Sequence, residues 1–477
     1  MSALDGEIAV WGRRLAGPRR PRARDRATAL LARDPPLRAA LFRLVDVAPA
    51  CAGPGELADH LAAYLGEAAE VDRAAAYGAA ARGAAAYSAG AAPGRGAAAA
   101  RGTATGRPRL GPPLAAAGAR LAGSRAGRVP AGLAARLAVR ATAHRFIAGT
   151  DPRQAAPELG RLWTRGIASS VDLLGEATVT AAEGRAYASR CAEAIDLLAA
   201  TAARWPARPL LEADSAGPLP RASLSVKVTA LTPLVRPAAP ERGRADAAGA
   251  LRELLRRARD RGAHLHVDME SLDARELVCE LVLELLSERE FRDGPSVGVV
   301  VQAYLRDGEQ QLDRLLAWAR AADRTVPLTV RLVKGAYWDQ ETIAALHAGW
   351  PSPVWSRKAD SDRCFERLVP RALAAFPHVR TAVASHNPRS VAHALVAAER
   401  AGLARRDVEL QVLRGLGDEL AAALAREGLR VRSYCPVGEL VAGMAYLVRR
   451  LLENTANESF LATRASGTDL DRLLAAP

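Results

Sequence analysis

Lysine is nearly missing from this chain: Lys227, Lys334 and Lys358 stand against 63 arginines in 477 residues. Asparagine is as scarce, at positions 387, 454 and 457. A composition weighted toward Ala, Gly, Pro and Arg, as GC-rich codon usage leaves it, replaces surface lysines by arginine because either cation serves on a solvated face. It does so less readily where a compact ammonium is needed in place of a planar guanidinium. Set against chance placement, the few lysines and asparagines left are expected to mark positions where geometry matters.

Other absences exclude function classes. The five cysteines (51, 191, 279, 364 and 435) form no CxxC pair, which argues against a zinc site or a disulfide framework and makes a reducing, cytoplasmic setting the expectation. No run of 18 apolar residues occurs, so no membrane-spanning helix is expected. Arg13 and Arg14 are followed by more arginines where a twin-arginine signal needs an apolar stretch. The strand–GxGxxG–helix fingerprint is absent, so a dinucleotide would have to be held by other means.

Charge is unevenly spread. Of the net +14, residues 1–150 carry +12, from 22 Arg against 10 acidic residues. Such an arm suits nucleic acid, an anionic lipid layer, or simple solvation. Residues 1 to about 70 read as short amphipathic helices broken by "GPRRPRARD" and "RDPPLR"; 74–137 is almost all Ala, Gly, Arg and Pro, and composition does not decide between helix and disorder there.

From about 165 the rhythm changes. Eight strand-like segments, 170–177, 222–231, 264–270, 297–304, 328–337, 380–387, 407–415 and 431–438, alternate with helix-period stretches such as "ARELVCELVLELLSE". This predicts an α/β protein: a (βα)8 TIM-type barrel over 141–477, distorted near its long first link, preceded by a helical, basic region over 1–140. Glu176, Lys227, Asp268, Gln302, Arg331 with Lys334, His386 with Asn387, Gln411 and Tyr434 then fall toward the strands' C-terminal ends, where barrels of this type build their sites.

Chemically, Arg331, Lys334 and Lys358 suit a phosphate-bearing cofactor, Gly335 a close backbone approach, Gln302 and Asn387 the polar edge of a heterocycle, and Trp338 a stacked ring. Near the C-terminus, "YLVRRLLENTANESF" places Tyr446, Arg449, Arg450, Glu453 and Asn457 on one helix face. Paired guanidiniums there could clamp a small carboxylate, or form an exposed pair with Glu453 worth little.

The segments "SVKVTAL", "VVQAY", "VRLVKGAYWDQE", "SRKADSD", "SHN", "LQVLRGLG", "YCPVG" and "YLVRRLLENTANESF", in that order over roughly 143–470, resemble the proline dehydrogenase barrel of the proline utilisation A flavoenzymes. The resemblance implies non-covalent FAD and oxidation of L-proline to 1-pyrroline-5-carboxylate, with electrons passed to a quinone. It implies cofactor contacts at Gln302, Arg331, Val333, Lys334, Gly335, Ala336, Trp338, Lys358, His386, Asn387, Arg450 and Glu453. The proline carboxylate would be clamped by Lys227, Arg449 and Arg450, and the ring walled by Asp268, Tyr337, Leu413, Tyr434 and Tyr446. Glu176 would pair with Arg449 on closure.

Departures from the family pattern are Ser356, Asp360, Ser385, Cys435 and the run after Asp268, "VDMES". The aldehyde dehydrogenase half typical of that family does not follow within these 477 residues, so oxidation of the product is expected from a separate pyrroline-5-carboxylate dehydrogenase or from a part not included in this sequence. The basic arm is expected to rest on anionic membrane lipid, and no nucleic acid is expected, there being no ribbon-helix-helix or helix-turn-helix pattern in 1–150. Two other readings stay open: a Schiff-base aldolase using Lys227 or Lys334, and a nucleic-acid module built on the basic arm.

Overall fold

The structure is a computed structural model; it describes residues 3–16, 34–88, 111–175, 178–439, 443 and 470–477. The described chain forms two compact units.

The larger unit is the expected barrel. Its strands are β1 (Ile167–Leu173), β2 (Ser223–Val226), β3 (His264–Val267), β4 (Ser296–Gln302), β5 (Leu328–Val333), β6 (Val379–Ala384), β7 (Val408–Leu413) and β8 (Val431–Val437). Each pairs in parallel with its sequence neighbour and β8 returns to β1, which closes the sheet. Every residue of β1 and β4 is buried, as expected of strands covered by the barrel interior on one face and by helices on the other. The two seams of β1 are unequal. Seven residue pairs, Ile167↔Val431 through Leu173↔Val437, join it to β8, whereas only Val171↔Leu224 and Asp172↔Ser225 join it to β2. The distortion expected at the first link lies there: after the helix Ala181–Ala202 the chain adds the turn Pro209–Glu212 and the hairpin Ala213–Asp214/Gly217–Pro218 before β2 begins.

The helix Ala3–Leu15 belongs to this unit. It buries Ile8, Trp11 and Leu15 in the barrel's hydrophobic core. Arg389, itself buried, ties it down by reaching both Asp5 (3.4 Å) and Glu366 (2.9 Å).

The second unit is helical, with Pro35–Val47, Pro54–Ser88, Gly111–Gly123 and most of Arg128–Phe146. "RDPPLR" starts a helix instead of breaking one: Asp34 caps it by accepting from the Leu37 N–H at 3.0 Å, and Pro35 occupies the first turn, where no donor is lost. The Ala/Gly-rich stretch is therefore helical as far as Ser88 and again in Gly111–Gly123 and from Arg128; 89–110 lies outside the described residues. Small residues let these helices touch: a Cβ on Gly132 would sit 1.8 Å from the Pro54 carbonyl oxygen. Among the described residues no helix is long and apolar enough to cross a membrane.

Candidate active site

Alternation along a strand sends every second side chain into the barrel, and toward the strands' C-terminal ends those side chains are charged. Lys227, one residue past β2, is ion-paired with Asp172 of β1. Asp172 is buried and Lys227 mostly so, with side chains 2% and 14% exposed. Although burial works against its charge, Asp172 and then Asp268 hold the Lys227 pKa above that of an ordinary lysine. A Schiff-base nucleophile needs the opposite shift.

Asp268, one residue past β3, is the hub of a second cluster. One carboxylate oxygen accepts from Arg331 Nη1 at 2.5 Å and the other from the Tyr434 hydroxyl at 2.6 Å. Arg331 also donates through Nε to Gln411 at 2.7 Å and lies 5.4 Å from the centre of the Tyr434 ring. Burial, reinforced by Asp172 and Asp268, raises the Tyr434 pKa well above that of a free phenol, so the hydroxyl stays protonated and donates. Arg331, Gln411 and Tyr434 project from within β5, β7 and β8, not from their last residues. Arg331 is consequently not grouped with Lys334 and Lys358 as the sequence suggested.

Those two lysines share another carboxylate, Asp362. Lys334 Nζ lies 2.5 Å from one oxygen, and Lys358, one helical turn before Asp362, binds the other. Burial lowers the Lys334 pKa although Asp362 opposes it. Burial pushes Asp362 up, yet Lys334 and Lys358 outweigh it and leave its pKa below the usual carboxylate value.

Between β5 and the helix Trp338–Ala348, Gly335 has φ +126°, and a Cβ there would fall 2.2 Å from the Tyr304 ring. Only glycine passes without displacing the ring. Val333 ends β5 beside Gln302 of β4, and Ala336 is exposed in the following turn. Tyr337 packs with Tyr304 and Leu305. Trp338 is 41% exposed and donates from its indole N–H to the Trp355 carbonyl at 2.7 Å. Gln302 is 2% exposed; its amide donates to the Glu270 carbonyl at 3.1 Å, while its Oε1 is buried with no partner.

His386 Nε2 accepts from the Leu413 N–H at 2.8 Å, which fixes the ring as the Nδ1–H tautomer if neutral. The Asn387 side-chain oxygen caps the helix Pro388–Arg400 by accepting from Arg389 N–H at 2.9 Å. Glu176, Tyr446, Arg449, Arg450, Glu453 and Asn457 lie outside the described residues.

Sequence reasoning did not single out Asp172 or Asp362. Asp172 was legible as the one charged residue of β1, two positions after Ser170 and so on the same face of the strand. Asp362 was legible as the i+4 partner of Lys358. A cavity of about 310 Å³ does open at the other end of the barrel, beside Pro327, Leu328, Pro377 and His378. No carboxylate lines it, and neither does any of the candidate site residues.

A closed parallel barrel with buried acid–cation clusters at the strands' C-terminal ends defines the class: a (βα)8 protein with an enzyme-like site. Residues 155–463 match the proline dehydrogenase family, and residues 13–104 match the proline utilization A N-terminal domain. The chain belongs to the proline dehydrogenase family. It is 32% identical over 349 residues to the bifunctional protein PutA of Salmonella typhimurium, covering 72% of this chain and 25% of that one. To the proline dehydrogenase of Deinococcus radiodurans it is 29% identical over 319 residues, 67% of this chain and 88% of that one. The crystal structure of proline utilization A from Bdellovibrio bacteriovorus inactivated by N-propargylglycine superposes with a TM-score of 0.82 at 31% identity, over 99% of this chain and 44% of that one. The chain thus spans about a quarter of the length of the Salmonella protein and under half of the Bdellovibrio one.

Proposed function

We propose that this chain oxidises L-proline to 1-pyrroline-5-carboxylate with FAD as cofactor, the first step of proline catabolism to glutamate. The observation that carries the reading is the Asp268 hub with the adjoining Lys227–Asp172 pair, inside the segment that matches the family.

The residues present fit a flavin. Gln302 Oε1 is a buried acceptor with no partner, suited to a ring N–H. Lys334 and Lys358 converge on one carboxylate, so two ammonium groups stand ready for a diphosphate. Gly335, Val333, Ala336 and Trp338 would line the cofactor beside them, with His386 and Asn387 just past the end of β6 and Arg331 reaching it from within β5. Arg450 and Glu453 complete the proposed set. When bound, the flavin supplies the acceptor for two electrons.

The chain's own residues would bind and orient the substrate. Lys227, kept charged by Asp172, takes the proline carboxylate together with Arg449 and Arg450. Asp268, Tyr337, Leu413, Tyr434 and Tyr446 enclose the ring, and Glu176 pairs with Arg449 over it. Tyr434, itself fixed by Asp268, gives one wall of the pocket a set position. Proline must react as the free amine: C5 loses hydride with its electron pair, the nitrogen lone pair forms the C=N bond, and the cationic iminium leaves. No nucleophile is required.

Electrons would pass to a quinone, with the basic arm resting on anionic lipid, and the product would pass to a pyrroline-5-carboxylate dehydrogenase activity. Anaerobic addition of L-proline to the FAD-loaded chain tests the reading: bleaching of the flavin absorbance supports it, and an unchanged spectrum contradicts it.

A further inference from the structure

The N-terminal end of the barrel holds a second concentration of buried charge, which the proposed reaction does not use. Arg380 of β6, Arg430 just before β8 and Arg432 of β8 are each at most 6% exposed. Asp214, from the hairpin that precedes β2, accepts from Arg380 at 2.9 and 3.0 Å and from Arg430 at 3.0 Å. Glu409 of β7 accepts from Arg432 at 2.9 and 3.0 Å. Three guanidiniums are therefore ion-paired with two carboxylates; the third buried carboxylate at this end, Asp407, is held by Ser215 and the Ala404 N–H instead and does not line the space between them. Arg331 does not alter this count, because it is paired with Asp268 nearer the other end.

Between these groups lies a cavity of about 20 Å³, lined by all three arginines, Glu409, Thr381 and His264 among others. That is room for one particle of about a water's size. Two buried atoms among its lining side chains, Arg430 Nε and Thr381 Oγ1, have no hydrogen-bond partner. The first can only donate, and the second is free to. The lining is short of negative charge and of acceptors together. Burial and then the Arg432 guanidinium push the His264 pKa down to about 3, so this histidine adds no charge. Its Nδ1 is engaged with Ser296 Oγ at 2.9 Å.

We infer that this cavity is a binding site for one small monovalent anion, with chloride as the physiological occupant, held by Arg430 Nε and Thr381 Oγ1 beside the Arg432 guanidinium. An anion there balances the third arginine and satisfies both donors. A water satisfies the donors and leaves the charge. The site ties the hairpin, β6, β7 and β8 together where the barrel floor is polar instead of apolar, so its effect is on stability.

The test is to crystallise the whole chain in bromide and measure anomalous scattering, alongside thermal unfolding in chloride, bromide and gluconate at equal ionic strength. The inference expects an anomalous peak within hydrogen-bond reach of Arg430 and Thr381. It also expects a Tm several degrees higher in either halide than in gluconate, which is too large to enter. Thr381→Val should lose that halide dependence and Thr381→Ser should keep it. An ordered water with no anomalous peak, or the same Tm in all three salts for the unmodified chain, overturns the inference. The bromide measurement needs no variant, so it stands even where Thr381→Val does not fold.

Discussion

Lys227 and Asp172 form an ion pair across neighbouring strands, buried at the end of the barrel where Asp268 gathers Arg331 and Tyr434. Removing one partner leaves the other's charge uncompensated in a buried place. Lys227→Met is expected to lower stability by about 3 kcal/mol and to raise the KM for proline by roughly tenfold or more, the value of one charge-assisted hydrogen bond. The double variant Lys227→Met/Asp172→Asn should recover most of the stability and none of the KM. Denaturant unfolding and steady-state kinetics on both separate the two roles.

Gly335 is held at φ +126° with its Cα facing the Tyr304 ring. Gly335→Ala is expected to cost about 1–3 kcal/mol through strain at that backbone angle and to weaken FAD retention, because the turn carrying Lys334 must shift. Gly335→Ala/Tyr304→Ala should restore part of the retention by removing the clash. Flavin content after gel filtration reads this directly; full retention in the single variant would show that the turn does not touch the cofactor.

Burial already lowers the Lys334 pKa, and Asp362 is the group that most opposes it, with Lys358 lowering it further and Glu366 raising it. Diphosphate binding needs the protonated ammonium, so FAD affinity should decline as pH rises through a value below the ~10.4 of an ordinary lysine. Asp362→Asn removes the opposing charge and should move that decline to lower pH. Flavin fluorescence titrations across alkaline pH measure the shift; superimposable profiles would contradict it.

Both histidines at the barrel floor, His264 and His266, have pKa values lowered first by burial and then by nearby arginines, and burial lowers His393 as well. The unfolded chain therefore binds more protons than the folded one below the ordinary histidine pKa of about 6.5. Stability is fully present above that pH and is lost as pH falls toward the folded-state values. The expected slope is about 1.4 kcal/mol per pH unit for each histidine. His264→Asn should flatten the dependence between pH 5 and 6.5 by about one such increment, measured by urea unfolding.

The strand count and order could be read from the sequence because each strand is a short apolar run set between helix-period stretches, and parallel closure follows from that alternation; the bounds were less exact, since 222–231 reads as one strand whereas β2 ends at Val226 and Val228–Leu231 is helical. Ion-paired charge was legible where a rare residue stood at a strand end, as at Lys227 and Lys334. Partnerships were not, because they depend on register: Arg331 lies three residues from Lys334 in sequence, yet strand alternation turns it inward to Asp268 while Lys334 meets Asp362. The polar barrel floor was illegible for the same reason, since Asp214, Arg380 and Arg430 are brought together only by closure of the sheet. Composition misled at "RDPPLR", where capping by Asp34 turns a pair of prolines into a helix start.

The central claim is that the strand ends hold a flavin against proline. Its most direct test is the visible spectrum of the purified whole chain loaded with FAD, recorded anaerobically before and after L-proline. The account predicts a yellow protein whose visible flavin absorbance bleaches on addition. A folded chain that takes up no FAD, or takes it up and stays yellow with proline, contradicts it.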